Sequence, residues 1–288
     1  MTFLDFFAGI GTIRIGFEQA GWTCNGHVEW DKFAQASYNA MHDIKEGEFC
    51  GWDIRAVRAD ELPRSDLWTF GAPCQDFSIA GKRKGMDGER SSLVNEIFRL
   101  VEETPEENRP TWLLYENVKG MLSSNGGWDF LGILLEMDRL GYDVEWQMLN
   151  SKHFGVPQNR ERVFTLGHSR RKSTGKVFPI SGTDGQGGVS VKIVAHRNGY
   201  RRNTQTFSPT GITESLDTAQ GGGRGHHVII SNRIRKLTPR ETWRLQGIPD
   251  HYFDKAKAVN SDSQLYKQAG NACTVNVMYE IAKRMIHD

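Results

Sequence analysis

The sequence predicts an α/β fold, a doubly wound sheet with helices on both faces, joined to a smaller, irregular, β-rich module. Three observations predict it. Short apolar runs alternate with helical patterns through the first half of the 288 residues, the order that builds a parallel sheet covered by helices. Beyond residue 169 that periodicity fades, and glycine-rich stretches at 182–188 and 221–225 sit among polar residues. Near the end, Met278, Ile281, Ala282 and Met285 restore a helical spacing.

Strands are expected at 2–7, 23–28, 67–70 and 112–115, followed by 144–149 and 163–166. Between them, Leu93, Ile97, Leu100 and Val101 fall at i, i+4, i+7 and i+8, one buried stripe of a helix. A second helical segment carries Leu131, Leu134 and Leu135. In the glycine-rich region, 191–195 and 228–231 read as strands, which favours a folded module over disorder. Thr238-Pro239 is a helix entry. A chain of this length exceeds one average domain. The expected division is 1–168 with 262–288 as the larger unit and 169–261 as the smaller, the latter split into 169–234 and a hinge at 235–261.

Composition excludes several classes. Mean hydropathy is −0.53, and no apolar run approaches the roughly 20 residues a bilayer span needs. The start lacks a basic region before its apolar stretch, which Asp5 interrupts, so no secretory signal is expected. Cys24, Cys50, Cys74 and Cys273 form no C-x-x-C pair, which argues against a metal site or a disulfide framework and for a cytoplasmic setting. Three of these, Cys24, Cys50 and Cys273, read as small buried hydrophobes. Net charge is +1, but residues 151–244 hold 17 Lys and Arg against 5 Asp and Glu, leaving 19 against 30 elsewhere. Such polarisation suits one section facing a polyanion.

The reactive residues sit at strand ends. Phe70-Gly71-Ala72-Pro73-Cys74-Gln75 presents a thiol beside a proline, and Leu114-Tyr115-Glu116-Asn117-Val118 presents a carboxyl beside an amide. A thiol and a carboxyl at one sheet edge suit covalent attack on a ring that must also be protonated, such as cytosine. Asp5-Phe6-Phe7-Ala8-Gly9-Ile10-Gly11 opens the chain, and Gln158-Asn159-Arg160-Glu161-Arg162 and Gln268-Ala269-Gly270-Asn271 follow in the later part. In this order the set closely resembles the DNA (cytosine-5) methyltransferases of prokaryotic or phage type, over nearly the whole chain.

The resemblance implies a Rossmann-like class I methyltransferase sheet with a target-recognition domain, and S-adenosyl-L-methionine as cofactor. It implies Cys74 as the nucleophile that adds to C6 of a flipped-out cytosine in a short duplex DNA target. Glu116 then engages N3 and the exocyclic amine, Arg162 the base O2, and Arg160 supports the same corner. The cofactor pocket would comprise Phe7, Gly9, Ile10 and Gly11 from the first turn, with Glu29 for the ribose diol and Trp30 against adenine. Asp53 would accept from the exocyclic amine, with Ile54, Pro73, Leu93 and Asn271 completing the pocket. Thr12 and Ala272 depart from the family's usual glycine and hydroxyl residue.

DNA contacts are expected from Lys82, Arg83, Lys84 and Arg90 in the loop after the nucleophile, and from Ser215, Leu216, Arg224 and Arg240. Arg197, Arg201, Arg202, His226 and His227 are further candidates. The implied partners are double-stranded DNA and a cognate restriction endonuclease, with the protein a monomer and no metal. Two alternatives stand beside this reading: a cytosine-5 methyltransferase acting on RNA, disfavoured because its usual Cys-Phe-Thr element is missing, and a catalytically silent DNA-binding regulator, which tends to lose the Cys or Glu kept here.

Overall fold

The computed structural model describes residues 1–72, 93–182, 193–196, 205–208, 210–218, 226–230 and 233–286. The first half alternates as its pattern predicts: β1 (Thr2–Phe6), α1 (Thr12–Gln19), β2 (Thr23–Val28), α2 (Lys32–Met41), β3 (Phe49–Gly51) and β4 (Leu67–Phe70). Then come α3 (Leu93–Glu103), β5 (Trp112–Val118), α4 (Trp128–Arg139), β6 (Tyr142–Asn150), β7 (Gln158–Asn159) and β8 (Glu161–Ser169). Seven of these strands form one sheet in the order β3-β2-β1-β4-β5-β8-β6. The pairs from β3 to β5 are parallel, whereas β8 runs antiparallel to both β5 and β6.

Both faces of this sheet are covered, which is why its central strands read as unbroken apolar runs. On one face α3 and α4 bury Val94, Ile97, Leu100, Val101, Phe130, Ile133 and Met137 against Leu4, Phe6, Trp68 and Phe70. The other face carries α1 and α8 (Val275–Ile286), with Phe17, Met278, Ile281 and Met285 packed on Phe3. The terminal helix thus returns to the first strand, and the Trp22 indole donates to the Ala282 carbonyl at 3.1 Å. Gly16 permits that approach: a Cβ there would lie 2.6 Å from Met278 Cβ.

Three expectations need correction. In α4 the inward face is Phe130, Ile133 and Met137, while Leu131 and Leu135 are exposed; their leucine spacing follows a helix but marks its outer side. Cys50 is exposed, whereas Cys24 is deeply buried and Cys273 partly so. Val177, Phe178 and Ile180, expected in the smaller module, join the core under α8. Gln147, on edge strand β6, fixes them there by hydrogen bonds to the N–H and carbonyl of Ile180.

The remaining strands are β9 (Ile193–His196), β10 (Gln205–Phe207), β11 (Thr213–Glu214), β12 (His227–Ile230) and β13 (Arg233–Lys236). A second sheet runs β13-β12-β10-β9, while β11 pairs with β7. Helices α5 (Pro239–Arg244), α6 (Asp250–Lys257) and α7 (Asp262–Asn271) follow. Thr238 caps α5 in a reciprocal box with Glu241, as Thr238-Pro239 predicts. A third apolar cluster, around Trp243, Ile248, Phe253 and Leu265, ties these helices to Ile10, Ile15 and Leu216.

Behind the first turn lies a buried polar cluster. Arg14 reaches Glu48 at 2.5 Å with both side chains almost fully enclosed, and it also donates to Glu18 and to the Tyr38 hydroxyl. His27 stacks on Tyr38 at 3.8 Å, and His42 Nε2 donates to the Ile10 carbonyl at 3.1 Å. Burial holds His27 down to about 4 and His42 to about 3. A neutral buried histidine takes no proton when folded but does when unfolded. His42 therefore costs nothing above its ordinary value of 6.5 and becomes progressively destabilising as pH falls from there towards 3. Asp5, pushed up by burial to about 7, acts in the opposite sense. The His42→Asn variant is expected to lose less Tm than the parent between pH 7 and pH 4.5. Equal losses in calorimetric scans of the two proteins would contradict the neutral, buried state.

Candidate active site

β1 ends in a turn that the backbone can adopt only at a cost. Phe7 has φ 59° and is followed by Gly9 at φ 59° and Gly11 at φ 77°. A left-handed aromatic residue is uncommon and tends to occur where function holds it. Glu29, just past β2, accepts from the Gly9 N–H and the Asp31 N–H, both at 2.7 Å. One carboxylate thereby locks the two strand ends together, and burial raises its pKa. Asp31 caps α2 and pairs with Lys267 of α7 at 2.5 Å.

These groups open into one cavity of about 1280 Å³ at the carboxyl edge of the parallel strands, where open α/β sheets hold their ligands. At one end stand Phe7, Gly9, Ile10, Glu29, Trp30, Asp53, Ile54, Leu93 and Asn271, every one an expected pocket residue. Trp30 is 64% exposed, an indole free to cover a flat ligand. Asp53 accepts on both oxygens from Arg55, Oδ1 from Nε and Oδ2 from Nη2.

The other end of the same cavity holds Gly71, Glu116, Asn117, Arg160, Arg162 and Cys273. Glu116 and Arg162 lie diagonally across the β5–β8 pair, where Val118 opposes Arg162 and Glu116 opposes Phe164. Side chains two apart share a face, and Arg162 Nε meets Glu116 Oε1 at 3.0 Å. β4 delivers its end to this corner. A Cβ on Gly71 would sit 3.3 Å from Glu116 Oε2, and the Asn117 amide donates to the Ala72 carbonyl at 3.4 Å. Pro73 and Cys74 come next in sequence and lie outside the described residues, as do Lys82, Arg83, Lys84, Arg90, Arg197, Arg201, Arg202 and Arg224.

Other placements differ from expectation. Arg160 is 2% exposed, and its guanidinium donates to Ser215 Oγ and to the carbonyls of Leu216, Gly270 and Ala272. It braces the corner from behind, its donors turned to the backbone. Leu216 is buried in the Trp243 cluster, so its side chain is not presented to a ligand in this state, and Ser215 is engaged by Arg160. Arg240 pairs with Asp250 and Asp254. His227 is buried and His226 stacks against Phe207.

Sequence reasoning missed Trp52, Gln264 and Lys267, which also line the cavity. Trp52 precedes Asp53 directly, and positions 267 and 264 are one and two turns before Asn271 on α7, so these signals were present in the spacing. The two departures at positions 12 and 272 meet in space. Thr12 Oγ1 accepts the Cys273 N–H at 3.1 Å, placing a hydroxyl beside the segment that lacks one at Ala272.

A sheet of this order, with a strained first turn, an acidic second strand end and a carboxylate–guanidinium corner in one cavity, is the plan of a class I methyltransferase. The family model described as C-5 cytosine-specific DNA methylase matches residues 1–181 and 181–287. A type II methyltransferase of Dactylococcopsis salina, M.DsaV, is 32% identical over 99% of this chain and 86% of its own length. M.HhaI of Haemophilus parahaemolyticus is 30% identical over 98% and 93%. The chain belongs to the C-5 cytosine-specific DNA methylase family. Solved structures agree in fold. S. pombe Dnmt2 superposes with a TM-score of 0.73 at 20% identity, covering 98% of this chain and 97% of that one. A putative DNA modification methyltransferase encoded within an E. coli prophage gives 0.72 at 18%, with all of both chains covered.

The enzyme takes its methyl group from S-adenosyl-L-methionine, and the cavity fits such a group. Its volume of about 1280 Å³ exceeds the 300–1,000 Å³ typical of small-ligand pockets, leaving room for a nucleoside and a reacting base. Among the described residues nothing lies within 4 Å of a Cβ built on Gly9, so the turn there is open. A Cβ on Gly11 would instead meet His42 Nε2 at 2.3 Å and Tyr38 at 2.7 Å. Gly11→Ala is expected to destabilise the protein by about 1–3 kcal/mol and to weaken S-adenosylhomocysteine binding more than Gly9→Ala does. Denaturant unfolding with calorimetric titration measures both, and equal behaviour of the two variants would rule out the packing behind the turn as the reason.

Proposed function

We propose that this enzyme methylates C5 of cytosine in a short duplex DNA target through a covalent adduct between Cys74 Sγ and C6. The observation that carries the proposal is the single cavity joining Glu29 at one end to the Glu116–Arg162 corner at the other. A base reaching that corner would lie beside the cofactor end, and the chain enters residues 73–74 from an Ala72 tied to Asn117.

C5 is a poor nucleophile while the pyrimidine ring is conjugated. Attack by the Cys74 thiolate at C6 breaks the conjugation and makes C5 enamine-like. The Glu116 carboxyl would deliver a proton to N3 and accept from the exocyclic amine. Arg162, 3.0 Å from Glu116, can turn its remaining donors to O2. S-adenosyl-L-methionine, when bound, supplies the electrophilic methyl group. Loss of the C5 proton then lets the Cys74–C6 bond break and the thiolate leave. The target carbon is buried in a stacked duplex, so the base must swing out, at about a few kcal/mol. The basic stretch with Lys82, Arg83, Lys84 and Arg90 would hold the flanking phosphates.

We extend the same reading to organisation. Residues 1–168 and 262–288, with 177–180 packed under α8, form the catalytic unit, the remainder of 169–234 reads the target, and 235–261 are the hinge. The enzyme acts as a cytoplasmic monomer beside a cognate restriction endonuclease. Among the described residues no helix is long and apolar enough to cross a membrane.

Duplex DNA with 5-fluorocytosine in place of cytosine should trap the protein with its cofactor as a denaturation-stable adduct, because fluorine blocks the final elimination. Cys74→Ala is expected to abolish the adduct, and Glu116→Gln to slow methylation by roughly 10²–10⁴. An adduct that survives Cys74→Ala would overturn the assignment of the nucleophile.

A further inference from the structure

Arg160 stands between two parts of the molecule that bind different ligands. Its Nη1 donates to Ser215 Oγ at 3.1 Å and to the Leu216 carbonyl at 3.3 Å. Its Nη2 donates to the carbonyls of Gly270 and Ala272, each at 2.9 Å. The first pair belongs to the segment proposed to read DNA. The second pair flanks Asn271, which lines the cofactor end of the cavity. All four acceptors are neutral, so the hydrogen bonds to this almost fully buried cation come from backbone and hydroxyl dipoles, and only Nε lacks an acceptor among the described residues. Gly270 closes the junction from the other side, since a Cβ there would lie 2.4 Å from the Asp217 carbonyl oxygen. Gln158, two residues before Arg160, adds bonds to Leu216 N and the Leu245 carbonyl.

We infer that Arg160 is a positioning residue that couples DNA docking to cofactor binding. A guanidinium is planar and rigid, so the separation between its two pairs of acceptors is fixed. A shift of 215–217 on the DNA side must therefore be matched by 270–272 on the cofactor side. Each ligand then favours the state the other needs, and the two affinities rise by the same factor. Lysine offers three donors at one point and no fork, so it cannot hold both pairs in this way. The inference rests on the proposed role of 169–234 in DNA binding.

The test uses the full chain in a Cys74→Ala background, so that no adduct forms. S-adenosylhomocysteine affinity is measured by calorimetry with and without unmodified plasmid DNA, and plasmid affinity with and without S-adenosylhomocysteine. Without Arg160 changes, each ligand is expected to tighten the other about tenfold, within the usual span of coupling. Arg160→Met and Arg160→Lys should cut the factor below twofold while leaving the protein able to bind each ligand alone. Gly270→Ala, which keeps the guanidinium but wedges the junction, should cut it likewise and guards against a misfolded Arg160 variant. A tenfold factor that persists in Arg160→Met and Gly270→Ala, or an absence of coupling in the Cys74→Ala protein, would overturn the inference. Failure of that protein to bind plasmid at all would instead remove the DNA-binding reading beneath it, and the inference with it.

Discussion

The antiparallel pairing of β8 with β5 is the constraint on which the site depends. Were β8 parallel like its neighbours, the strand would begin at the opposite edge of the sheet and carry its arginines away from the cavity. Reversed, it starts at the carboxyl edge, and the register sets Arg162 diagonally across from Glu116 at 3.0 Å. The same reversal brings Arg160 to the junction between residues 215–216 and 270–272. The Glu116 carboxylate therefore has a fixed cationic neighbour, whose guanidinium is also held by the Glu161 carbonyl. Charge-assisted contacts of this kind gain strength in a partly dry cleft.

The cofactor end rests on a different economy, one of strain supported by packing. Phe7 at positive φ is held in place because Glu29 receives the Gly9 N–H and because His42 and Tyr38 close in behind Gly11. Those aromatic groups are in turn supported by Arg14 and Glu48, whose buried ion pair would be a liability if either partner were lost. The polar cluster behind the turn touches no cavity wall directly at Arg14 or Glu48, yet it shapes the surface the ligand meets. Strained turns of this kind persist where surrounding contacts over-determine them.

Much of this was legible in the sequence, for identifiable reasons. The central strands announced themselves as apolar runs because both faces are covered, and α3 and α8 announced themselves by the spacing of their buried side chains. The order of motifs located Glu29, Asp53, Glu116, Arg162 and Asn271 around one cavity. What did not show was direction and depth. Nothing in residues 161–169 tells whether the strand runs parallel or antiparallel, and three-residue β3 is too short for any period. Arg160 and Arg162 look alike two residues apart, but one is enclosed by carbonyls and the other faces Glu116. Leu216 looked like part of a reading element and is core. Leu131 and Leu135 looked like core and are outside, because α4 fills its inner face with Phe130, Ile133 and Met137.

The proposed reaction requires Glu116 and Arg162 to act on one nucleotide, opposite a thiol. A crystal structure of the protein with duplex DNA and S-adenosylhomocysteine tests that most directly. It should show a single extrahelical cytosine whose N3 edge meets the Glu116 carboxyl, whose O2 meets Arg162, and whose C6 faces Cys74 Sγ. A DNA complex in which the Glu116–Arg162 pair stays closed and no base enters the cavity would contradict it.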